Sequence, residues 1–473
     1  MVKENCGVVG VYNVKDVPKI LYFSLFSLQH RGQESCGIIF SDYKNTYVHK
    51  GMGLTNDVFS NFDFDQYKEI VGFGIGHVRY STTGKPDVKN IQPFIVEYKG
   101  KTYAIAHNGN LVNSYTLRKK LEEGGTLFQT TLDTEIIMHL IFKSKKVNFI
   151  DKLIDALNKL KGAYSLIIFT PEGIYAIKDP QGFRPLCLGK FEDGYIVASE
   201  SCAFDLVGAE YIREIEEGEI LFIGKEGLKS FYLPTDKISR CIFEFIYFAR
   251  PDSKIFGKSV YKVRKKLGEN LGKELPFNGD IIIPVPDSGN IAAIGLSESL
   301  KIPFEMGFIR NHYIGRTFIL PFQISREISV KLKLNSVKEI IRDKNVIVVE
   351  DSIVRGTTST LRIKELRKAG AKKVYMAVSC PPIKYPCFYG IDFPTKEELI
   401  ASNKEISEIE KVIGLDGLYY LSIEGMLSSM NLPEEEFCTA CFSGKYPAEV
   451  KDFKNKEQFE NERISCNRER QNL

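Results

Sequence analysis

The sequence predicts a two-part protein of mixed α/β and α+β class. Three observations carry that expectation. At 473 residues the chain is long enough for two domains. Short strand and helix patterns alternate through its first half. In its second half Val346-Ile347-Val348-Val349 is a β-branched run entering a hydroxyl-rich loop and then a helix, the unit of a buried parallel sheet.

Composition narrows the class. Hydrophobic residues are 43% and charged residues 26%, which suits a globular chain with substantial cores. The 64 basic and 60 acidic side chains nearly cancel, which argues against a nucleic-acid or membrane partner. No run approaches the ~20 apolar residues of a membrane span, and Met1 to Asn5 lacks the apolar core of a signal peptide, so a cytoplasmic location is expected. Ten cysteines are few for a disulfide scaffold of this length and point to redox or metal chemistry.

Taken in order, Cys6-Gly-Val-Val-Gly-Val-Tyr12 reads as a strand. Four polar clusters then fall at element ends. Gln29-His30-Arg31-Gly32 closes a helical stretch, and Gly76-His77-Val78-Arg79-Tyr80-Ser81-Thr82 and His107-Asn108-Gly109-Asn110 close strands. Asp133-Thr134-Glu135 opens a helix, with Asp133 expected at its cap. Clusters of this kind are how a site sits on a rigid scaffold. Asp151 to Lys161 reads as a helix; Tyr164 to Thr170, Gly173 to Lys178 and Tyr195 to Ala198 read as strands. A domain boundary is expected near Leu233-Pro234-Thr235.

Beyond it, Ser259 to about Leu275 is a Lys- and Arg-rich helix whose charges read as a solvated face. Asp280 to Ile283 is a buried strand, and Pro284 to Gly289 turns into a helix. After Val349, the carboxylates Glu350 and Asp351 end the strand, and Thr357 or Thr358 is the expected N-cap of a helix closed by Gly370. Unpaired N–H groups at such a helix start favour an anion, and Gly356 lets backbone approach closely. The stretch is therefore either an ordinary strand–loop–helix or a phosphate cradle beside two carboxylates suited to sugar hydroxyls or hydrated magnesium. Cys438-Thr-Ala-Cys441 permits zinc, a redox pair or a cluster. The tail from Lys451 to Leu473 is polar and basic.

Two resemblances organise these motifs. Asp351-Ser-Ile-Val-Arg-Gly-Thr-Thr358 resembles the phosphoribosyl pyrophosphate (PRPP) motif of type I phosphoribosyltransferases, in the form found in amidophosphoribosyltransferases. The four clusters of the first half resemble the glutamine amidotransferase domain of the N-terminal nucleophile hydrolases, over about Cys6 to Pro234. The fold implied is an αββα sandwich at 6–234, preceded by a propeptide at 1–5 and followed by a parallel-sheet phosphoribosyltransferase domain at 235–473. In the resembling family the Cys6 thiolate attacks the glutamine amide, and its own α-amine, with a pKa near ~8, shuttles the proton. His30, His77 and His107 then orient rather than catalyse. Asn108 and Gly109 would form the oxyanion hole, Arg79 would bind the glutamine carboxylate and Asp133 its ammonium, and Arg31 would belong to the loop closing over glutamine. Because five residues precede Cys6, cleavage of the Asn5–Cys6 bond is expected.

For the second half the resemblance implies PRPP contacts from Asp287, Ser288, Arg316, Lys331, Glu350, Asp351, Ser352, Arg355, Gly356, Thr357 and Thr358. Magnesium would lie at Ser288, Glu350 and Asp351, and Arg310 to Asn335 would be a loop that closes over substrate. Phe322 and Glu350 depart from the family pattern, which has Asp-Asp where this chain has Glu350-Asp351. Similarity to the iron–sulfur branch implies a 4Fe–4S cluster on Cys241, Cys387, Cys438 and Cys441. The implied reaction joins glutamine and PRPP into 5-phosphoribosylamine, the first step of purine synthesis. The resemblance also implies feedback by purine nucleotides and a homotetramer. Two rivals are another amidotransferase, such as a glucosamine-phosphate synthase or asparagine synthetase, and a non-enzymatic PRPP sensor.

Overall fold

Strand alternation in the first half builds two antiparallel sheets, face to face. The structure, a computed structural model, describes residues 6–80, 87–311, 334–391, 393 and 395–450. The first sheet comprises β1 (Gly7–Lys15), β2 (Ser35–Ser41), β3 (Thr46–Met52), β4 (Val71–Arg79), and three later strands. The second holds β5 (Phe94–Tyr98), β6 (Lys101–Leu111), β7 (Gly162–Thr170), β8 (Gly173–Lys178) and two more. Their facing side chains, among them Val8, Ile39, Phe73, Ile75, Ala104, Ile167, Phe169 and Ile174, form one dry layer. Such alternation of inward apolar residues is what a sandwich requires.

Helices cover the outer faces. Helix α1 (Val17–Ser27) buries Val17, Leu21 and Leu25 against β1, β2 and β4. On the other side α2 (Asp133–Lys143) and α3 (Phe149–Leu157) bury Ile136, Ile137, Ile141, Leu153 and Leu157 against the second sheet. The order is thus helix, sheet, sheet, helix. The expected strands are present within three residues of their predicted ends, and the expected helix at Asp151–Lys161 starts and stops earlier, at Phe149–Leu157.

The second half is a different solution. Strands β9 (Ile281–Pro284), β10 (Asn345–Glu350), β11 (Lys373–Val378) and β12 (Gly417–Tyr420) pair in parallel, in that order. Val346, Ile347, Val348 and Val349 have no exposed surface, as a strand covered on both faces demands. Helix α4 (Val260–Glu274) precedes β9, α5 (Asn290–Leu300) follows it, and α6 (Thr357–Lys368) follows β10. Among the described residues no helix is long and apolar enough to cross a membrane.

Three local expectations need correction. Helix α2 has Leu132 at its N-cap position and Asp133 is its first helical residue; the Asp133 carboxylate accepts from the Leu111 N–H and from the Thr134 hydroxyl. Helix α6 is capped by Gly356, not by Thr357 or Thr358: the backbone enters with φ +74°, which favours glycine. The basic helix α4 is not solvated throughout. Arg264 is buried, and its guanidinium donates to the carbonyls of Phe245, Tyr247 and Ala249 at 2.7–2.8 Å.

Candidate active sites

The first site is built where the two sheets are fastened together. Cys6 enters β1, which pairs with β4 so that Gly7 faces Val78. Buried His77 on β4 reaches across to the second sheet, with Nε2 3.0 Å from the carbonyl oxygen of His107 on β6. Burial pushes its pKa down to about 3, so the ring is neutral and donates from Nε2. His77 is thus a staple, as expected, and Asn108 and Gly109 follow its acceptor directly.

Cys6 is 7% exposed, and its thiol donates to the Tyr80 carbonyl at 3.4 Å. Burial pushes its pKa up to about 11, partly offset by that hydrogen bond and by the positive charge of Arg79; Glu34 and Asp133 also act on it, raising it. Such a thiol needs a base to become a nucleophile at neutral pH. Arg79 ends β4 and is bound to Glu34. Asp133 lies with Oδ1 3.4 Å from His107 Nδ1, and Oδ2 accepts from the Leu111 N–H at 3.1 Å. Burial works against its charge, but His107 and these donors hold the carboxyl below its ordinary range.

The side chain of Asn108 is the unusual one. It is fully buried, yet both its carboxamide nitrogen and oxygen lack a partner among the described residues. A buried unpaired amide costs about 1–3 kcal/mol, so it is held here for something else. Gly109 beside it has φ +149°, and a Cβ there would stand 2.1 Å from the Ala163 carbonyl oxygen. No other residue fits that strand crossing.

Arg31 is not where the sequence placed it. It does not close over the site; it lies beneath it with no side-chain exposure. Its Nε donates to the Cys6 carbonyl at 3.1 Å, and its other nitrogens bind Glu200 and Glu244. A guanidinium committed to three acceptors has no fork left for a substrate. His30 joins the same network through Glu200, at 2.7 Å.

The second site gathers at the carboxyl ends of β9 and β10, the usual crevice of a parallel sheet. Ser288 Oγ donates to Asp351 Oδ2 at 2.5 Å, and Ser352 Oγ to Asp351 Oδ1 at 2.6 Å. Asp287, after a cis Pro286–Asp287 peptide, is paired with Arg310. Gly356, Thr357 and Thr358 form the start of α6, with its outward N–H groups. Arg355 is drawn off to Glu398 at 2.7 Å. Glu350 is buried, and Arg362 donates to it at 2.7 Å. Burial pushes its pKa up to about 7 despite Arg362, with the charge of Asp351 adding to the rise. Arg316, Lys331 and Phe322 lie outside the described residues.

Cysteines from three segments converge near the junction of the halves. Arg240–Cys241 pairs in parallel with Phe437–Cys438, placing Cys241 opposite Cys438. Burial raises the pKa values of Cys241, to about 12, and of Cys438 and Cys441; Cys387 raises each further by its charge. Among the described residues no group of three or more His, Cys, Asp or Glu could hold a single metal ion. Cys36, Cys187, Cys202 and Cys380 are buried free thiols, as expected of structural cysteines. Cys466 lies outside the described residues.

Comparison with known proteins identifies both halves. A glutamine amidotransferase domain family matches residues 77–205, and a phosphoribosyl transferase domain family matches residues 256–407. An amidophosphoribosyltransferase of Methanocaldococcus jannaschii is 47% identical over 467 residues, covering 94% of this chain and 98% of its own. The chain belongs to the amidophosphoribosyltransferase family. The family member of Bacillus subtilis is 47% identical over 455 residues, covering 94% of this chain and 95% of its own. Two solved structures superpose over 95% of this chain and 98% of theirs. One is described as the allosteric regulatory enzyme of purine biosynthesis, with TM-score 0.90 and 46% identity. The other is the glutamine PRPP amidotransferase of B. subtilis complexed with ADP and GMP, with TM-score 0.89 and 45% identity. Asn108, Gly109 and Asp133 lie within the amidotransferase match, and Ser288, Asp351 and Gly356 within the phosphoribosyl match.

Sequence reasoning missed the residues that hold these sites together. Glu34, Arg184, Glu200, Glu244, Arg310 and Arg362 are all single charges in unremarkable contexts. Arg31 and Glu244 are 213 residues apart, so no local pattern could have joined them. Only Arg184 had a signal, its place after the Asp179-Pro-Gln-Gly182 turn.

Proposed function

We infer that the two sites run one reaction: glutamine, PRPP and water give 5-phosphoribosylamine, pyrophosphate and glutamate. The Cys6 sulfur attacks the glutamine side-chain carbon, ammonia departs, and water hydrolyses the resulting thioester to glutamate. Ammonia then attacks the anomeric carbon of PRPP, and pyrophosphate leaves with the bonding pair. Passage of ammonia inside the protein keeps it from being protonated and lost. The observation that carries this reading is the buried, unpartnered Asn108 carboxamide, on the strand that His77 fastens to the sheet of Cys6. Its N–H and that of Gly109 are donors held ready for an oxyanion that exists only during the reaction.

The required base follows from the same geometry. With the thiol pushed up to about 11, a nearby proton acceptor is called for, and the α-amine freed by cutting the Asn5–Cys6 bond would supply it. The freed α-amine, with a pKa near ~8, would take the thiol proton and return it to the leaving ammonia. Arg79 would orient the glutamine carboxylate and Asp133 its ammonium. Intact mass and N-terminal sequencing of active protein test the cleavage; full activity with residues 1–5 retained sinks it.

At the second site, Ser288, Ser352 and the N–H groups of Gly356 to Thr358 would hold the phosphates, with Asp287 beside the magnesium–pyrophosphate group. Magnesium fits this donor set: it is bound by one or two carboxylates plus substrate oxygens, and Asp351 and Glu350 with Ser288 are such a partial set. When bound, it neutralises pyrophosphate charge as the bond breaks. Arg316 and Lys331 would add to that charge balance. A 4Fe–4S cluster would be held by Cys241, Cys387, Cys438 and Cys441, whose buried thiols lie close enough to act on one another's charge. It would tie the Cys438 segment to Cys241. Visible absorption with four iron atoms per chain in anaerobically purified protein is the expected result. Purine nucleotides, which also carry phosphates, would compete for the cradle, and a homotetramer is the assembly to test by mass in solution.

The deciding assay is PRPP-dependent glutamate formation. If neither glutamine nor ammonia consumes PRPP, the reading fails, and a sensor role takes its place.

A further inference from the structure

The amidase half does not complete its own site. Glu244 belongs to the second half, at the start of the helical turn Glu244–Phe248, and has no exposed surface. Its Oε1 accepts from Arg31 Nη2 at 2.8 Å and from Arg184 Nη1 at 3.0 Å; its Oε2 accepts from Arg31 Nη2 at 3.0 Å. Each arginine leads to one side of the amidase chemistry. Arg31 Nε donates to the Cys6 carbonyl at 3.1 Å. Arg184 donates from Nε and Nη2 to the Tyr389 carbonyl at 3.2 and 2.6 Å.

Tyr389 brings that second arm to the oxyanion strand. The next residue, Gly390, lies so close that a Cβ there would stand 3.1 Å from the Gly109 carbonyl carbon and 3.2 Å from Arg184 Nη2. Phe388, on the other side, accepts from the Asn110 carboxamide at 2.8 Å. The 388–390 backbone is therefore a brace laid along Asn110 and Gly109. Glu244 is itself fixed, because Arg264 of α4 grips the carbonyls of Phe245, Tyr247 and Ala249 in its turn.

We propose that Glu244 is a positioning residue for the amidase reaction, holding Cys6 through Arg31 and the Asn108–Gly109 strand through Arg184 and the 388–390 brace. One carboxylate of the acceptor domain thus sets the spacing between nucleophile and oxyanion donors. Two guanidiniums on a buried carboxylate make a stiff, charge-assisted joint. Displacement of a reacting group by about 1 Å costs on the order of 100-fold in rate. The acceptor domain is then a structural part of the amidase site, and its movements reach Cys6 by a direct contact. This rests on Cys6 as nucleophile and Asn108–Gly109 as oxyanion hole.

The test is a set of variants of the full chain, each assayed with glutamine and with ammonia as nitrogen donor. Glu244→Gln is expected to lower glutamine-dependent kcat by about 10- to 100-fold, with KM for glutamine and ammonia-dependent PRPP turnover within about twofold of the parent. Alkylation of Cys6 by a glutamine-shaped diazoketone should slow in parallel. Arg184→Lys keeps the charge but loses the fork on Tyr389. It should lower kcat similarly while leaving iodoacetamide alkylation of Cys6 unchanged, because the Arg31 arm is intact. It also carries the test if Glu244→Gln does not accumulate as folded protein. Equal loss of both activities, or an unchanged glutamine kcat, overturns the positioning role. Cys6→Ala separates the two readings: if it retains glutamine-dependent turnover, the site assignment itself fails.

Discussion

The two sites handle polar groups in opposite ways. At the amidase site Asn108 is buried with both carboxamide atoms unpaired, on a strand locked between β5 and β7. At the phosphoribosyl site the polar groups are already paired with one another: Ser288 with Asp351, Asp287 with Arg310, Glu350 with Arg362 and Arg355 with Glu398. On the proposed reading the first is pre-organised for a charge that would appear only in a transition state. The second must exchange partners to admit a substrate. Sheet architecture explains the contrast. Antiparallel strands carry donors into a dry interior between layers, where they cannot relax. Parallel strands deliver theirs to loops at one edge, where side chains reach each other.

The sharpest way to break that comparison is Cys6→Ala. Loss of glutamine-dependent product by more than about 1000-fold, with ammonia-dependent turnover kept, is expected from removal of a covalent nucleophile. Asn108→Ala follows, with glutamine kcat falling about 100- to 1000-fold and KM little changed, as for other oxyanion donors. Stability should not fall in step, because the removed amide was unpaired; a large drop in melting temperature would contradict the contrast.

On the other side, Glu350 supplies a pH test. Its folded pKa, raised to about 7, exceeds the ordinary carboxyl value of 4.5. Between those values the native state binds more protons than the unfolded state, so stability falls as pH rises from 4.5 toward 7. Unfolding of the parent and of Glu350→Gln at pH 5 and pH 8 should differ by on the order of 1–3 kcal/mol in that dependence, the variant losing less as pH rises. An identical pH dependence would show that Glu350 is ordinary. The smallest effect is expected for Glu350→Asp. Shortening the side chain draws the carboxylate back from Arg362, which should free it for substrate and lower KM for PRPP about two- to fivefold, about 0.5–1 kcal/mol.

How much of this was legible in the sequence follows the range of the interactions. The β-branched run at Val346 to Val349, the Gly356 turn and the alternating strands of the first half are local signals, and each became the element it predicted. The motif residues Cys6, Arg79, Asn108 and Asp133 stood out because their types and order suit an amidase, and the roles proposed for them rest on that pattern. Arg31 was placed wrongly for the opposite reason: its neighbours on the chain say nothing of Glu244, which reaches it from across the domain junction. The burial of Arg264 in a helix rich in Lys and Arg was hidden in the same way.

By itself, then, the sequence determined an amidotransferase-like half and a phosphoribosyltransferase-like half and most of their strand and helix content, since these depend on residue type and short-range geometry. The tertiary structure decided which charges are buried and what they grip. Only folding brings Arg31, Arg184 and Glu244 into one dry cluster, where a carboxylate held in low dielectric fixes groups far apart in the chain.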